Sequence, residues 1–304
     1  MCKNTYNCTL VIPTHNNQQC LQRAITYYKS LDFYVICVDS SQVAYRQEMP
    51  SNIKYIHVPG YGFVEKMLYA LESIETEYVV CSADDSFIMF ETLYKGLSVM
   101  DEQEHVLAVL GRCLAFNEHF EGWFYPIYNN KRWKYKKGDI HHNVYDFMNN
   151  YNHMILWGAY KKDALLAAYQ AVNMAEIKND NFIGFILGIM LSFQGEIHFL
   201  DKIWGVRGFK KENVSGGRHR GIGGISEIQI QRTHGGVEKA ITYYTDSECF
   251  KIGYTAYMSF CKDNGVSLLR DINKTEIVVR FKHIFLEKKI KERLKSISSI
   301  LISQ

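Results

Sequence analysis

Apolar runs alternate with amphipathic stretches along the first 110 residues. Short apolar runs predict buried strands, and apolar residues that recur every three or four positions predict helices. The strands predicted in this way are 8–12, 33–38, 53–58, 77–81 and 106–110. The helices predicted between them are 19–31, 63–74 and 90–100. Such an order indicates crossover connections, and therefore a mainly parallel sheet with helices on both faces.

The pattern is less regular beyond residue 110. Helices are predicted at 139–150, 162–173 and 181–194, and strands at 156–160 and 197–206. Residues 122–137 are aromatic and basic without a clear period. Residues 205–224 are rich in glycine and in basic side chains, which favours a mobile loop. The pattern from 227 to 304 is mostly helical, so we expect a helical region at the end of the chain.

Composition narrows the class of protein. Of 304 residues, 47% are hydrophobic and 22% are charged, which is typical of a globular chain. The net charge of +3 is too small to indicate a nucleic-acid partner. The eight cysteines include no CxxC pair, which argues against a common zinc site. Met1–Asn7 shows no signal-peptide pattern, and no apolar run reaches the length of a membrane span. We therefore expect a reduced, cytoplasmic protein.

Polar clusters follow three of the predicted strands. They are Pro13–His15, Asp39–Ser41 and Asp84–Ser86. Asp and Ser are ordinary turn residues, so each cluster alone would be explained by a turn. In a parallel sheet, however, ligands bind beyond the carboxyl ends of the strands, and all three clusters occupy that position. Their convergence on one edge favours a binding site.

The residues that carry these clusters resemble a known family. The segments LVIPTHN, VICVDSS and EYVVCSADDSFIMFETL, with the Asp pair in register with Asp39, resemble the nucleotide-sugar-binding half of the family 2 glycosyltransferases. The resemblance is strongest over residues 8–110 and weaker to about residue 210. It implies the GT-A fold, with a Rossmann-like sheet. It also implies a GT-A domain over 1–225, divided into a nucleotide-binding half (1–110) and an acceptor half with a flexible loop (111–225). A mostly helical extension would follow at 226–304.

The resemblance implies metal-dependent, inverting transfer from a nucleoside diphosphate sugar. UDP is the expected nucleotide, and the acceptor would be a polysaccharide or glycolipid of surface glycan biosynthesis, such as a capsule. Asp85 would bind Mn²⁺ or Mg²⁺, which neutralises the charge of the leaving diphosphate. Asp84 would face either the ribose or the same metal. Ala83 and Ser86 stand where many relatives carry further aspartates. We therefore expect weak metal affinity that depends on the donor. His219 is a candidate for completing the metal shell.

Other matched residues would bind the nucleotide. Asp39 matches the carboxylate that accepts an N–H of the base, from uracil or from the amino group of cytosine. Pro13 and Thr14 match the loop that surrounds the base, although a plain turn is the alternative. Lys66 would either neutralise phosphate or remain a solvated helix position. Arg207 would reach the diphosphate, and the nearby loop, which contains Arg218, His219 and Arg220, would close over the donor.

Inverting transfer also needs a general base for the acceptor hydroxyl. Asp180 and Glu176 are the leading candidates and Asp201 is a third, although Asp180 would also serve as a helix N-cap. Gly158 resembles the glycine of a strand that lines the sugar and acceptor cleft. Trp157 beside it would either stack on a sugar or belong to the core.

Two questions remain open from the sequence. The helical spacing of apolar residues within 282–304 is explained by a terminal helix docked on the body or by an interfacial helix attracted to anionic lipid. A non-catalytic scaffold with the same fold also remains an alternative to the enzyme. A sugar-phosphate nucleotidyltransferase is disfavoured because PTHNNQQ contains neither Gly nor Arg. A dehydrogenase is excluded because no GxGxxG follows the first strand.

Overall fold

The computed structural model of the chain describes residues 7–117, 124–127, 133–151, 153–175 and 180–209. The strands are β1 (Cys8–Thr14), β2 (Tyr34–Asp39), β3 (Ile53–His57), β4 (Tyr78–Cys81), β5 (Ser86–Ile88), β6 (Val106–Asn117), β7 (Phe124–Ile127), β8 (Ala159–Lys161) and β9 (Glu196–Phe209). The helices are α1 (Gln18–Tyr28), α2 (Phe63–Glu72), α3 (Phe90–Glu102), α4 (Ile140–Asn149), α5 (Lys162–Met174) and α6 (Asp180–Gln194). A short 3₁₀ helix, His153–Leu156, precedes β8.

The first four strands form a parallel sheet in the order β3-β2-β1-β4. Helices α1 and α3 contribute to the core on one face, and α2, α4, α5 and α6 contribute to the core on the other. Every residue of β1 is buried as a result. A parallel strand that is covered on both faces has a nearly continuous apolar sequence, which explains why these strands were predictable.

The sheet becomes mixed beyond β4. Strand β8 pairs antiparallel with both β4 and β6, while β6 and β9 run parallel to each other. The three-residue strand β5 was not predicted, and it pairs antiparallel with β9. This pairing brings the chain just after the two aspartates against the end of β9.

The structure differs from the predicted boundaries at two places that matter for the site. Strand β1 continues through Pro13 to Thr14, which pair with Val38 and Asp39. The prediction that Pro13 and Thr14 form a loop or turn is therefore wrong. The turn begins after them, and Asn16 adopts a positive φ of 51°, which asparagine tolerates.

The second difference concerns Arg207. The prediction placed it in a mobile loop, whereas β9 extends to Phe209 and includes it. The predicted strand at 156–160 is also shorter, because Leu156 ends the 3₁₀ helix. The loop residues Arg218, His219 and Arg220 and the extension 226–304 lie outside the described residues. Among the helices that the structure describes, none is both long and apolar enough to cross a membrane.

Candidate active site

Asp84 lies at the edge of the sheet where the parallel strands end. It is half-buried, and its Oδ2 accepts a hydrogen bond of 2.6 Å from the hydroxyl of Thr14 at the end of β1. Burial raises the pKa of Asp84 to about 7, and the neighbouring charge of Asp85 adds to the increase. Hydrogen bonds from Thr14 and Asn17 and the charge of Lys66 oppose it. Asp84 is therefore a carboxyl group that titrates near neutral pH.

Asp85 is buried, with 9% of its surface exposed, and pairs with Arg207. The Nε of Arg207 donates to Oδ2 of Asp85 over 3.1 Å, and the Ser86 hydroxyl donates to Oδ1 over 3.2 Å. The backbone holds the two residues together, because Gly208 N donates to the carbonyl oxygen of Asp85 over 2.7 Å. The β5–β9 pair thus fixes where the guanidinium lies.

Asp39 ends β2 and has no exposed surface. Its Oδ1 accepts hydrogen bonds from the backbone N, at 2.7 Å, and the hydroxyl of Ser41, while Tyr55 donates to Oδ2 over 2.7 Å. The Tyr55 hydroxyl in turn accepts from Tyr45 N over 2.8 Å. Both carboxylate oxygens therefore have donors within the protein. A base N–H that is to reach Asp39 must take a remaining lone pair or displace one of these donors.

Lys66 is 5% exposed, so the interpretation of Lys66 as a solvated helix position is wrong. Its Nζ donates to the carbonyl oxygen of Thr14 over 2.7 Å and to the Ser40 hydroxyl over 3.1 Å. These partners lie where β1 and β2 end, so the amphipathic helix α2 directs a cation into the sheet edge. The sequence did not reveal Tyr55, Ser41 or Asn17 as partners of the aspartates, since neither motif nor spacing links them to those residues.

An open cleft lies beside Arg207, and Ser82, Ser86, Cys113 and Trp157 are among the residues that line it. Its enclosed part is about 20 Å³, which is room for about one water molecule. Trp157 is half-buried and contacts Phe63 edge to face at 6.2 Å between ring centroids. It therefore belongs to the cleft wall and also packs against α2.

Gly158 follows Trp157 at a point of close packing. A Cβ on Gly158 would lie 2.2 Å from Cδ2 of Leu110 and 2.8 Å from the carbonyl oxygen of Val109. The glycine allows the backbone before β8 to approach β6. Its position is thus explained by packing, whether or not a sugar binds nearby.

Of the three base candidates, Asp201 is the one whose side chain lies among the described residues. Glu176 and the metal candidate His219 lie outside the described residues, and Asp180 is described only in its backbone, as the first residue of α6. Asp201 forms an ion pair with Arg112 and is half exposed. The register of β9 against β6 places Leu200 opposite Gly111 and Arg207 opposite Ala115, so Asp201 lies about 10–13 Å from Arg207 along the sheet. Asp201 therefore lies apart from the Asp85–Arg207 pair.

Two adjacent carboxylates hold a divalent cation only when other ligands complete its coordination. Within the described ranges, no group of three or more His, Cys, Asp or Glu residues is arranged to hold a metal ion. Mg²⁺, however, is commonly held by one or two carboxylates together with substrate phosphates and water. The charge of Asp85 raises the pKa of Asp84, and a bound cation would relieve this repulsion. Asp84 and Asp85 therefore fit a cation whose coordination a phosphate completes.

Comparisons with known proteins agree with this geometry. Residues 9–157 match the model of glycosyl transferase family 2, whereas no curated protein sequence matches the chain. A crystal structure of S. aureus TarS in complex with UDP-GlcNAc has a TM-score of 0.52 and 16% identity, and the match covers 86% of this chain and 75% of that chain. A second S. aureus TarS structure has a TM-score of 0.46 and 13% identity, with coverage of 87% and 90%.

The first of these structures shows the fold, and the predicted GT-A fold is confirmed. The matched residues contain β1 to β7, α1 to α4 and both aspartates. Residues 9–157, just under half of the chain, match glycosyl transferase family 2, and this match supports a glycosyltransferase.

Proposed function

We propose that the protein transfers a sugar from a nucleoside diphosphate sugar to a glycan acceptor, with inversion at the anomeric carbon. The main support is the meeting of Thr14, Asp84 and Asp85 at one sheet edge, with the cations of Lys66 and Arg207 beside them. A diphosphate leaving group needs positive charge, and a cation needs carboxylates to hold it. Both requirements are met by residues of this edge.

UDP is the nucleotide that we propose. A carboxylate such as Asp39 accepts the single N–H of uracil, and TarS, which shares the fold, was crystallised with UDP-GlcNAc. The identity of the two chains is 16%, so the sugar of that complex is not transferred to this protein. The donor sugar would lie on the open side of the cleft beside Arg207, which Trp157 also lines.

The chemistry assigned to the chain follows from charge. Asp84 and Asp85 would hold Mn²⁺ or Mg²⁺, which when bound neutralises the charge that develops on the diphosphate as the sugar leaves. Arg207 would donate hydrogen bonds to phosphate oxygens, since a guanidinium matches phosphate geometry. Lys66 would add positive charge at the same edge of the sheet while its ammonium group remains hydrogen-bonded to Thr14.

Our proposals about the acceptor side of the reaction are based on the sequence. We propose Asp180 or Glu176 as the general base, and a polysaccharide or glycolipid of the cell surface as the acceptor. We also propose that residues 1–225 form the transferase domain in the cytoplasm, and that the extension 226–304 either docks on it or contacts a membrane.

Ligand-dependent thermal stability tests the donor class. The melting temperature of the purified protein is measured with UDP, GDP, CDP and TDP, each with and without Mn²⁺, and with Asp85→Asn as the control. A ligand that binds only the native state raises the melting temperature by mass action. We expect UDP to stabilise the protein when Mn²⁺ is present, and Asp85→Asn to abolish the effect. Absence of stabilisation by every nucleotide would favour the non-catalytic scaffold.

A donor screen then separates an enzyme from a protein that only binds nucleotide. UDP-sugars are incubated with the protein and Mn²⁺, and the release of UDP is followed with and without glycan acceptors. Release that depends on one sugar and one acceptor supports transfer. Nucleotide binding without any turnover across the screen would instead support a binding role.

A further inference from the structure

The contact between Asp85 and Arg207 is built into the sheet. Arg207 is opposite Ser86 in the β5–β9 register, and the backbone of Gly208 is bonded to that of Asp85. Arg207 lies within β9, and Asp85 is the last turn residue before β5. The side chain of Arg207 is 23% exposed and that of Asp85 is 9% exposed, so solvent screens this pair less than a surface ion pair.

This contact places a cation of the protein on an oxygen that the metal would need. Oδ2 of Asp85 accepts the Nε–H of Arg207, and Lys66, which donates to the carbonyl oxygen of Thr14, adds a second positive charge at the same edge of the sheet. A divalent cation that approaches Asp85 is repelled by both groups and must replace a hydrogen bond. Metal binding at Asp84 and Asp85 is therefore unfavourable unless another anion is present.

We propose that Arg207 and a divalent cation compete for Asp85, and that the donor diphosphate releases Asp85 by offering Arg207 another anion. This inference rests on the proposed function. Phosphate oxygens accept paired hydrogen bonds from a guanidinium, so a bound diphosphate gives Arg207 a partner at least as good as the carboxylate. Arg207 is then a positioning residue that makes metal binding conditional on the donor. By linkage, the metal raises the affinity for the diphosphate by the same factor.

Direct measurement of metal binding tests the competition. Free Mn²⁺ is titrated by its electron paramagnetic resonance signal in wild type, Arg207→Gln and Arg112→Gln, each with and without saturating UDP. Arg112 is the matched control, because it pairs with Asp201 elsewhere on β9. We expect Arg207→Gln to bind Mn²⁺ without nucleotide about tenfold more tightly than wild type, and its UDP dependence to be smaller by about the same factor. Arg112→Gln should behave as wild type.

Equal Mn²⁺ affinity of wild type and Arg207→Gln without nucleotide, or weaker affinity of the variant, would overturn the competition. Calorimetric titration of UDP keeps this outcome separate from failure of the proposed function. Wild type that binds neither UDP nor Mn²⁺ contradicts the function itself, whereas normal binding with an unchanged Mn²⁺ affinity in the variant contradicts only the role of Arg207. Should Arg207→Gln fail to fold, Arg207→Met, which also lacks the positive charge, replaces it, with an expected Mn²⁺ affinity above that of wild type.

Discussion

Thr14 and Asp84 are joined by a hydrogen bond of 2.6 Å across the ends of β1 and β4. The parallel register of these strands pairs Val11 with Cys81, so Thr14 and Asp84 each lie three residues beyond that pair. The contact is thus a consequence of how the sheet is aligned. The ionisation of Asp84 at the candidate site is therefore linked to β1, a strand that is buried along its whole length.

The first prediction concerns pH and Asp84. The pKa of Asp84 rises from an ordinary 3.8 to about 7 in the folded protein, so folding favours the protonated form. The stability that this group contributes is fully present below the lower value and is lost as the pH rises through the higher one. We expect Asp84→Asn to become more stable relative to wild type as the pH rises from about 5 to about 8. Thermal unfolding of the metal-free protein in a chelator measures this.

Other groups also titrate in this range, so the difference between variant and wild type is the informative quantity. Asp163→Asn is the control, because Asp163 is an exposed carboxylate that pairs with a lysine rather than with a histidine. Melting curves of wild type and Asp84→Asn that shift in parallel would show that Asp84 does not titrate there.

The second prediction concerns the hydrogen bond from Tyr55 to Asp39. This hydroxyl holds Oδ2 of the carboxylate that we assign to the base, and removing a hydrogen bond to a charged group costs about 1.5–3 kcal/mol. We expect Tyr55→Phe to weaken UDP binding by about tenfold or more. Tyr45→Phe is the matched control, because its hydroxyl bonds Gln22 and Gln47 and does not touch Asp39. Equal UDP affinities of the two variants, measured by calorimetry, would remove Tyr55 from the site.

The strands and the edge where they end were predictable for a physical reason. Strands that are buried on both faces have apolar sequences and can be recognised from them. Because parallel strands bring their carboxyl ends to one edge of the sheet, Thr14, Asp39 and Asp84 could be grouped from the sequence alone. Strand β5 could not be predicted, because three residues carry no period and it forms only by pairing with β9. The end of β9 was missed because its glycines resembled a loop.

The partners within the site were not predictable. Lys66 occupies a polar position of an amphipathic helix, and periodicity does not say whether such a position faces water or the carbonyl groups of a sheet edge. Tyr55 reads as one more aromatic residue of a strand until the β2–β3 pairing sets it beside Asp39. These contacts depend on long-range register, which local sequence does not contain.

The third prediction follows from the burial of Lys66. Replacing Lys66 with Met keeps the stem but removes the donor to Thr14 and Ser40. We expect the free energy of unfolding in urea to fall by about 1–2 kcal/mol. Lys95→Met is the control, because Lys95 is an exposed lysine of α3 and its replacement should stay within about 0.5 kcal/mol of wild type. Similar unfolding free energies for both variants would mean that the buried ammonium group adds nothing to stability.

The fourth prediction separates packing from ligand binding at Gly158. A methyl group there would overlap Leu110 and approach the backbone oxygen of Val109, which the sheet holds in place through the pairing of Val109 with Ala159. We expect Gly158→Ala to lower the free energy of unfolding by about 1–3 kcal/mol, because the backbone before β8 must shift to relieve the overlap. Urea unfolding gives this value, and UDP titration of the folded variant should give the affinity of wild type. A Gly158→Ala protein of full stability that binds UDP poorly would instead assign this glycine to the donor cleft.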